Sequence, residues 1–312
     1  MLRDRSTFSN VRVLIIGDII LDHFMWGNVT RISPEAPVPV VDITNESKML
    51  GGAANVLENV CSLGAQASIC GMIGNDQAGQ DVLELVKRLG VRTDGIIQED
   101  RHFTPMKLRV IAGNQQIVRA DKELVQENPL VVYNKIARYL HRNEFDVVII
   151  SDYKKGLVSQ ALIEILQFSD IPVILDTKSG DISYCRNTTV ITSNLAEVEY
   201  MTGIKAKGVE DFQRIGKKFF EAGCAAALVT RGKDGMVLLE PGDLPKVIPA
   251  KAKEVYDVSG AGDTVTAVMA LCIASGLSYF ESAELANMAA GVVVGKVGTA
   301  SITQEELFEC LI

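Results

Sequence analysis

The chain has 312 residues, 47% of them hydrophobic, enough for a substantial core in one large α/β domain or two smaller ones. A net charge of −8 and a pI near 5.1, with no compensating basic run, argue against nonspecific binding to nucleic acid or to an anionic membrane. Six scattered cysteines without a Cys-x-x-Cys, and only three histidines, fit buried thiols in a reducing cytoplasm better than a metal cluster.

In chain order, the apolar run 13–16 is broken by Gly17-Asp18 and makes no signal-peptide core, and the run 285–294 is too short to span a bilayer. Short β-branched runs at 11–16, 147–151, 173–175, 190–192 and 226–230 predict buried strands of a parallel sheet. Helical patterns at 53–63, 80–89, 159–168, 196–201 and 211–222 lie between them, so the alternation predicts a layered α/β fold. Two segments break it. Residues 24–48 are rich in proline and hold a short alternating strand at 38–43, and residues 104–121 read as two strands around Gly113-Asn114. Both predict antiparallel strands standing off the main sheet as a small lid, with residues 1–312 forming a single domain.

Asp18 and Asp22 follow the first strand at the carboxyl end, where open α/β sheets bind ligands; an Asp there accepts sugar hydroxyls, or simply makes a turn. Gly51-Gly52-Ala-Ala-Asn55 opens a helix and offers the Asn55 amide to a ligand or to solvent. If the second hairpin turns on Asn114, facing positions sum to 228; Arg109 then lies opposite Arg119, and Lys107 opposite Asp121 on the same face. Like charges across a hairpin are unfavourable unless an anion lies between them, so this register suggests a phosphate clamp; a turn on Gly113-Asn114 would split the arginines between faces. Asn194-Leu195-Ala196-Glu197 begins a helix and reads either as a capping box or as a nucleotide contact. Thr230-Arg231-Gly232 ends a strand and starts either a phosphate-contacting turn or a hairpin.

Asp257-Val-Ser-Gly-Ala-Gly-Asp-Thr264 carries the most information. It joins small residues to a carboxylate at the start of the apolar segment 265–273, a buried helix ended by Gly276. The amides of Gly260, Ala261 and Gly262 form an anion hole at a helix N-terminus, with Asp263 placed to accept a hydroxyl proton during phosphoryl transfer or merely to complement the helix dipole. Neither a Walker-type loop nor a Gly-x-Gly-x-x-Gly after the first strand is present.

Taken in order, Gly-Gly-x-x-Asn, Asn-x-x-Glu and Asp-x-x-Gly-Ala-Gly-Asp resemble the ribokinase-like (phosphofructokinase-B type) carbohydrate kinases along almost the whole chain. The resemblance implies a three-layer fold with a central, mostly parallel sheet and a small β lid. Residues 31–40, Lys107-Leu-Arg-Val110, Asn114-Gln-Gln116 and 292–296 are similar to members acting on D-glycero-β-D-manno-heptose 7-phosphate at its anomeric oxygen. It further implies Asp263 as the base, Asp22, Gly52 and Asn55 holding the sugar, and Asp152 and Lys178 on the substrate side. ATP is the implied co-substrate, contacted by Asn194 to Glu197, Thr230 to Gly232 and Asn287. Mg²⁺ is reached by Glu197 through water, and a monovalent cation is an open addition. Lids of two subunits covering each other imply a homodimer. Where relatives read Asp-Pro-Lys-Gly, this chain has Asp176-Thr-Lys-Ser-Gly180, and it ends at Ile312, ahead of the nucleotidylyltransferase domain with a His-x-Gly-His motif that many relatives carry. Another sugar kinase of this type, or a ligand-binding module without chemistry, is the alternative reading; Asp263 together with Gly260, Gly262, Asn194 and Glu197 favours the enzyme.

Overall fold

A computed structural model describes residues 7–113, 115–125, 130–166, 171–251, 255–296 and 298–310. Its frame is a nine-stranded sheet in the order β13-β12-β11-β10-β9-β8-β1-β4-β5. Those strands are β1 (Arg12–Gly17), β4 (Gln66–Gly74), β5 (Ile96–Glu99), β8 (Val147–Asp152), β9 (Val173–Thr177), β10 (Val190–Asn194), β11 (Ala226–Thr230), β12 (Met236–Leu239) and β13 (Lys246–Ile248). From β5 to β11 the pairs are parallel, and β12 and β13 add as antiparallel strands at one edge. Thr230 to Gly235 therefore closes a hairpin between β11 and β12.

The central strands are apolar throughout because both faces are covered. Side chains alternate between faces along a strand, so Val13, Ile15, Val147 and Ile149 enter one core while Leu14, Ile16, Val148 and Ile150 enter the other. The first core is completed by α1 (Ala53–Ser62), α2 (Gln77–Arg88), α7 (Ala261–Ala274), α8 (Tyr279–Val293) and α9 (Gln304–Glu309). The second is completed by α3 (Leu130–Arg142), α4 (Gln160–Leu166), α5 (Leu195–Thr202) and α6 (Val209–Glu221). The end of the expected helix 159–168, at 167 and 168, lies outside the described residues. Every residue of α7 from Asp263 to Cys272 is buried, as a sequence apolar on nearly every side requires, and α7 packs against both α1 and α8. Among the described residues no disulfide forms, and no helix is long and apolar enough to cross a membrane.

A second sheet has the order β3-β2-β6-β7, from β2 (Ile19–Ile32), β3 (Pro39–Gly52), β6 (Met106–Ala112) and β7 (Gln115–Lys122). It is longer than the expected 24–48 ribbon: β2 starts at Ile19 and β3 runs on to Gly52, because Ile19, Ile20, Leu21 and Leu50 bury against the main body. The two hairpins join through a parallel pair, β2 with β6, which no local pattern encodes. The β6–β7 register pairs Lys107 with Asp121 and Arg109 with Arg119, then slips by one after Val110; Asn114 itself lies outside the described residues.

Candidate active site

Asp263 sits in the first turn of α7, whose entry is held by two devices. Gly260 caps the helix at φ +79°, a left-handed conformation that favours glycine, and a Cβ there would stand 2.7 Å from Asn55 Nδ2. Asp257 accepts hydrogen bonds from the Ser259 amide at 2.9 Å and the Gly298 amide at 3.1 Å, pinning the preceding turn. The first helical hydrogen bond runs from Thr264 N to Gly260 O, so the amides of Gly262 and Asp263 precede the ladder. Ala261 N instead donates to Val258 O at 3.3 Å, which narrows the expected anion hole. A Cβ on Gly262 would meet nothing within 4 Å, so the backbone is open to an incoming group there.

The Asp263 carboxylate is buried and doubly bonded: Asn55 Nδ2 donates to Oδ2 at 2.6 Å, and the Tyr153 hydroxyl donates to Oδ1 at 2.5 Å. Burial pushes its pKa up from the ordinary carboxylate value, while these two donors and Lys178 hold it down. Asn55 reaches it because α1 follows directly on Gly52, its N-cap, whose φ of +58° turns the chain out of β3. One turn on, Asn59 Oδ1 accepts from Thr264 Oγ1 at 2.8 Å, a second tie between α1 and α7.

A cavity of about 720 Å³ opens from Asp263 along the carboxyl ends of β9, β10 and β11. Its lining includes Gly260, Ala261, Gly262, Asn194, Glu197, Thr230, Gly232, Lys178 and Asn287. Lys178 Nζ stands 2.8 Å from Glu197 Oε1 and 3.5 Å from Asp176 Oδ1. Burial opposes its charge, but Asp176 and Glu197 outweigh that and raise its pKa. Burial also lifts Asp176 to about 7, with Lys178 opposing. Asn194 and Glu197 do form a capping box at the start of α5, so capping and cavity lining coexist. Asn287 donates to the Pro249 carbonyl at 2.7 Å. Three residues of the expected nucleotide set are not among the lining: Leu195 packs on the second core, Ala196 is exposed, and the Arg231 guanidinium turns back to the Asp234 carbonyl and the Phe212 ring.

On the far side of Asp263 lies the second sheet. Buried Asp22 pairs with Arg109, whose guanidinium also lies 5.1 Å from the Phe24 ring centroid. Arg119 Nε reaches Asp121 at 3.0 Å, so each of the two facing arginines has a carboxylate of its own, and this is why the like-charged pair is tolerated. Lys107 is half-buried, with burial lowering its pKa, and its ammonium lies 5.5 Å from the Tyr153 ring. Gly52 admits no side chain, since a Cβ would stand 2.4 Å from the Asp18 carbonyl.

Two carboxylates at the carboxyl ends of strands tie down the loop after β8. Asp18 accepts amides from Tyr153 and Lys155 at Oδ2 and from Leu157 at Oδ1. Asp152 accepts the Thr177 hydroxyl at 2.5 Å and the Lys154 amide at 2.8 Å, and it does not line the cavity. Tyr153 lines the cavity and escaped the reading of motifs, and Asp176, read only as the first residue of Asp176-Thr-Lys-Ser-Gly180, was given no role there. The signal for both was position alone, at or just past a strand's carboxyl end.

Residues 12–306 match the pfkB family of carbohydrate kinases. The chain is 42% identical over 311 residues to the bifunctional protein HldE of Desulfatibacillum aliphaticivorans, aligning 97% of this chain with 64% of that protein. It therefore spans under two thirds of that relative's length. Its fold is similar to Arabidopsis thaliana ribokinase, solved with ribose and ATP (TM-score 0.75, 18% identity, 96% and 98% of the two chains). It is also similar to Escherichia coli phosphofructokinase-2, solved with substrates and products (TM-score 0.79, 17% identity, 96% and 98% of the two chains). A buried carboxylate at a glycine-capped helix start, a cavity along the sheet's carboxyl ends and this match over nearly the whole length agree, and the chain belongs to the pfkB family of carbohydrate kinases, ATP-dependent enzymes that phosphorylate sugars.

Proposed function

We propose that the protein transfers the γ-phosphoryl group of ATP to the anomeric C1 oxygen of D-glycero-β-D-manno-heptose 7-phosphate, giving the 1,7-bisphosphate that feeds ADP-heptose and lipopolysaccharide core synthesis. The observation that carries the chemistry is the position of Asp263, between the cavity on one side and Asn55, Asp22 and Arg109 on the other. In this reading Asp263 takes the proton of the attacking hydroxyl, and the amides at the start of α7 hold the phosphoryl group in transfer. Asp22 and Asn55 bind sugar hydroxyls, and Arg109, Arg119 and Lys107 meet the existing phosphate. The choice of sugar rests on the likeness to HldE proteins.

Magnesium fits the cavity's donor chemistry. Asp176 and Glu197 present carboxylates there, and an ion that keeps several waters and takes phosphate oxygens needs few protein ligands. Such an ion would neutralise charge on the phosphates while Lys178 and the α7 amides orient them.

ADP release measured over a panel of sugars tests the assignment. The heptose 7-phosphate is turned over with the highest kcat/KM, and the unphosphorylated heptose falls behind through KM. Equal or better use of fructose 6-phosphate, or indifference to the 7-phosphate, contradicts the proposed substrate.

A further inference from the structure

The loop after β8 is shaped at some cost. Lys154 adopts φ +57°, uncommon outside glycine, and the buried Asp18 carboxylate accepts three backbone amides of the same loop. What this loop delivers is the Tyr153 side chain. Its hydroxyl lies 2.5 Å from Asp263 Oδ1, and its ring carries Lys107 at 5.5 Å and Lys178 at 5.4 Å from the centroid. Lys107 comes from the second sheet and Lys178 from the cavity, so one aromatic ring contacts cations from both sides of the reacting carboxylate.

We propose that Tyr153 is a positioning residue for the phosphoryl transfer: its hydroxyl holds the Asp263 carboxylate ready to accept a proton, and its ring keeps the sugar-side Lys107 and the phosphate-side Lys178 in register with it. The inference rests on the reading of Asp263 as the base. Asn55 already donates to Oδ2, so the tyrosine fixes the other oxygen and leaves the carboxylate no free rotation.

The groups that face Asp263 are Asn55 from α1, Tyr153 from the loop after β8, Lys178 and Asp176 from the end of β9, and Asp22 from β2; Glu197 of α5 acts through Lys178. Lys178 and the two donors favour its charged form, whereas Asp22 and burial oppose it. A hydroxyl donated to a carboxylate stabilises the anion, so removing it raises the pKa of the base. A base must be deprotonated to act, and the acid limb of kcat/KM then moves to higher pH.

The test compares wild type, Tyr153→Phe, Tyr153→Leu and Asp263→Asn across about pH 5 to 9 with saturating ATP. Phenylalanine keeps the ring under both lysines and removes only the hydroxyl. The proposal expects its kcat to fall about tenfold and its acid limb to rise by about one pH unit, the loss of one hydrogen bond to a charged group, with KM for the sugar phosphate nearly unchanged. Tyr153→Leu, which removes the ring as well, raises that KM. If Asp263→Asn is inactive while Tyr153→Phe keeps the wild-type kcat and acid limb, Tyr153 is a packing residue and the proposal fails alone. If Asp263→Asn itself turns over near the wild-type rate, the base assignment fails and takes this inference with it.

Discussion

Asn55 and Asp263 are 208 residues apart in the chain and meet at 2.6 Å, amide to carboxylate, in a buried contact between the first turns of α1 and α7. Gly260 makes this approach possible, because any side chain there would strike the Asn55 amide. Helices α1 and α7 are thus locked at their N-termini, each entered through a glycine of positive φ.

That contact separates two neighbouring glycines. Gly260→Ala combines a forced φ of +79° with a clash at Asn55 Nδ2, and it should destabilise the protein by about 1–3 kcal/mol and lose most activity. Gly262→Ala meets open space and should keep or slightly raise the melting temperature, since alanine is the better helix former, while its methyl group raises KM for ATP. Thermal melts alongside ATP kinetics check both; equal destabilisation would remove the distinction.

Arg109 and Arg119 face each other across β6 and β7, one held by Asp22 and the other by Asp121. Each of Arg109→Ala and Arg119→Ala should raise KM for the sugar 7-phosphate far more than KM for ATP, with the larger effect at Arg109, whose side chain is 14% exposed against 52% for Arg119. Normal sugar-phosphate binding by both variants would contradict a phosphate clamp at these arginines.

Glu197→Gln is informative because glutamine still completes a capping box. Stability should change by no more than about 1 kcal/mol, while the magnesium concentration for half-maximal rate rises severalfold. An unchanged magnesium titration with unchanged kinetics would leave Glu197 as a helix cap and a partner of Lys178.

The outer part of the second sheet and the β2–β3 connection expose Ile32 (61%), Val38 (51%), Ile43 (47%) and Val118 (50%). Apolar surface of this kind calls for a cover, and a homodimer pairing two such sheets would supply it. Sedimentation equilibrium at micromolar concentration should give a dimer, and Ile43→Glu should shift it toward monomer. A monomeric wild type would contradict this assembly.

Much of the framework could be read locally. Strands apolar on both faces announce a covered parallel sheet, and α7 is apolar all round because α1, α8 and the sheet enclose it. β4, interrupted by Gly71 and half-exposed at its start, and α8, whose run of small residues gives no clear stripe, carried no such pattern. The register that sets Arg109 against Arg119 is one of the two that hairpin arithmetic left open, the one centred on Asn114, whereas the carboxylate that holds Arg109 comes from β2, 87 positions away. Tyr153 stayed hidden for the same reason. Its partner in sequence is a strand end, and its partner in space is Asp263.

The most direct test of the account is Asp263→Asn, which preserves the side chain's shape and removes its capacity to take a proton. With fold confirmed by circular dichroism and ATP binding, its kcat on the heptose 7-phosphate should fall by about 10² to 10⁴. Turnover near the wild-type rate would contradict the assignment of Asp263 as the base.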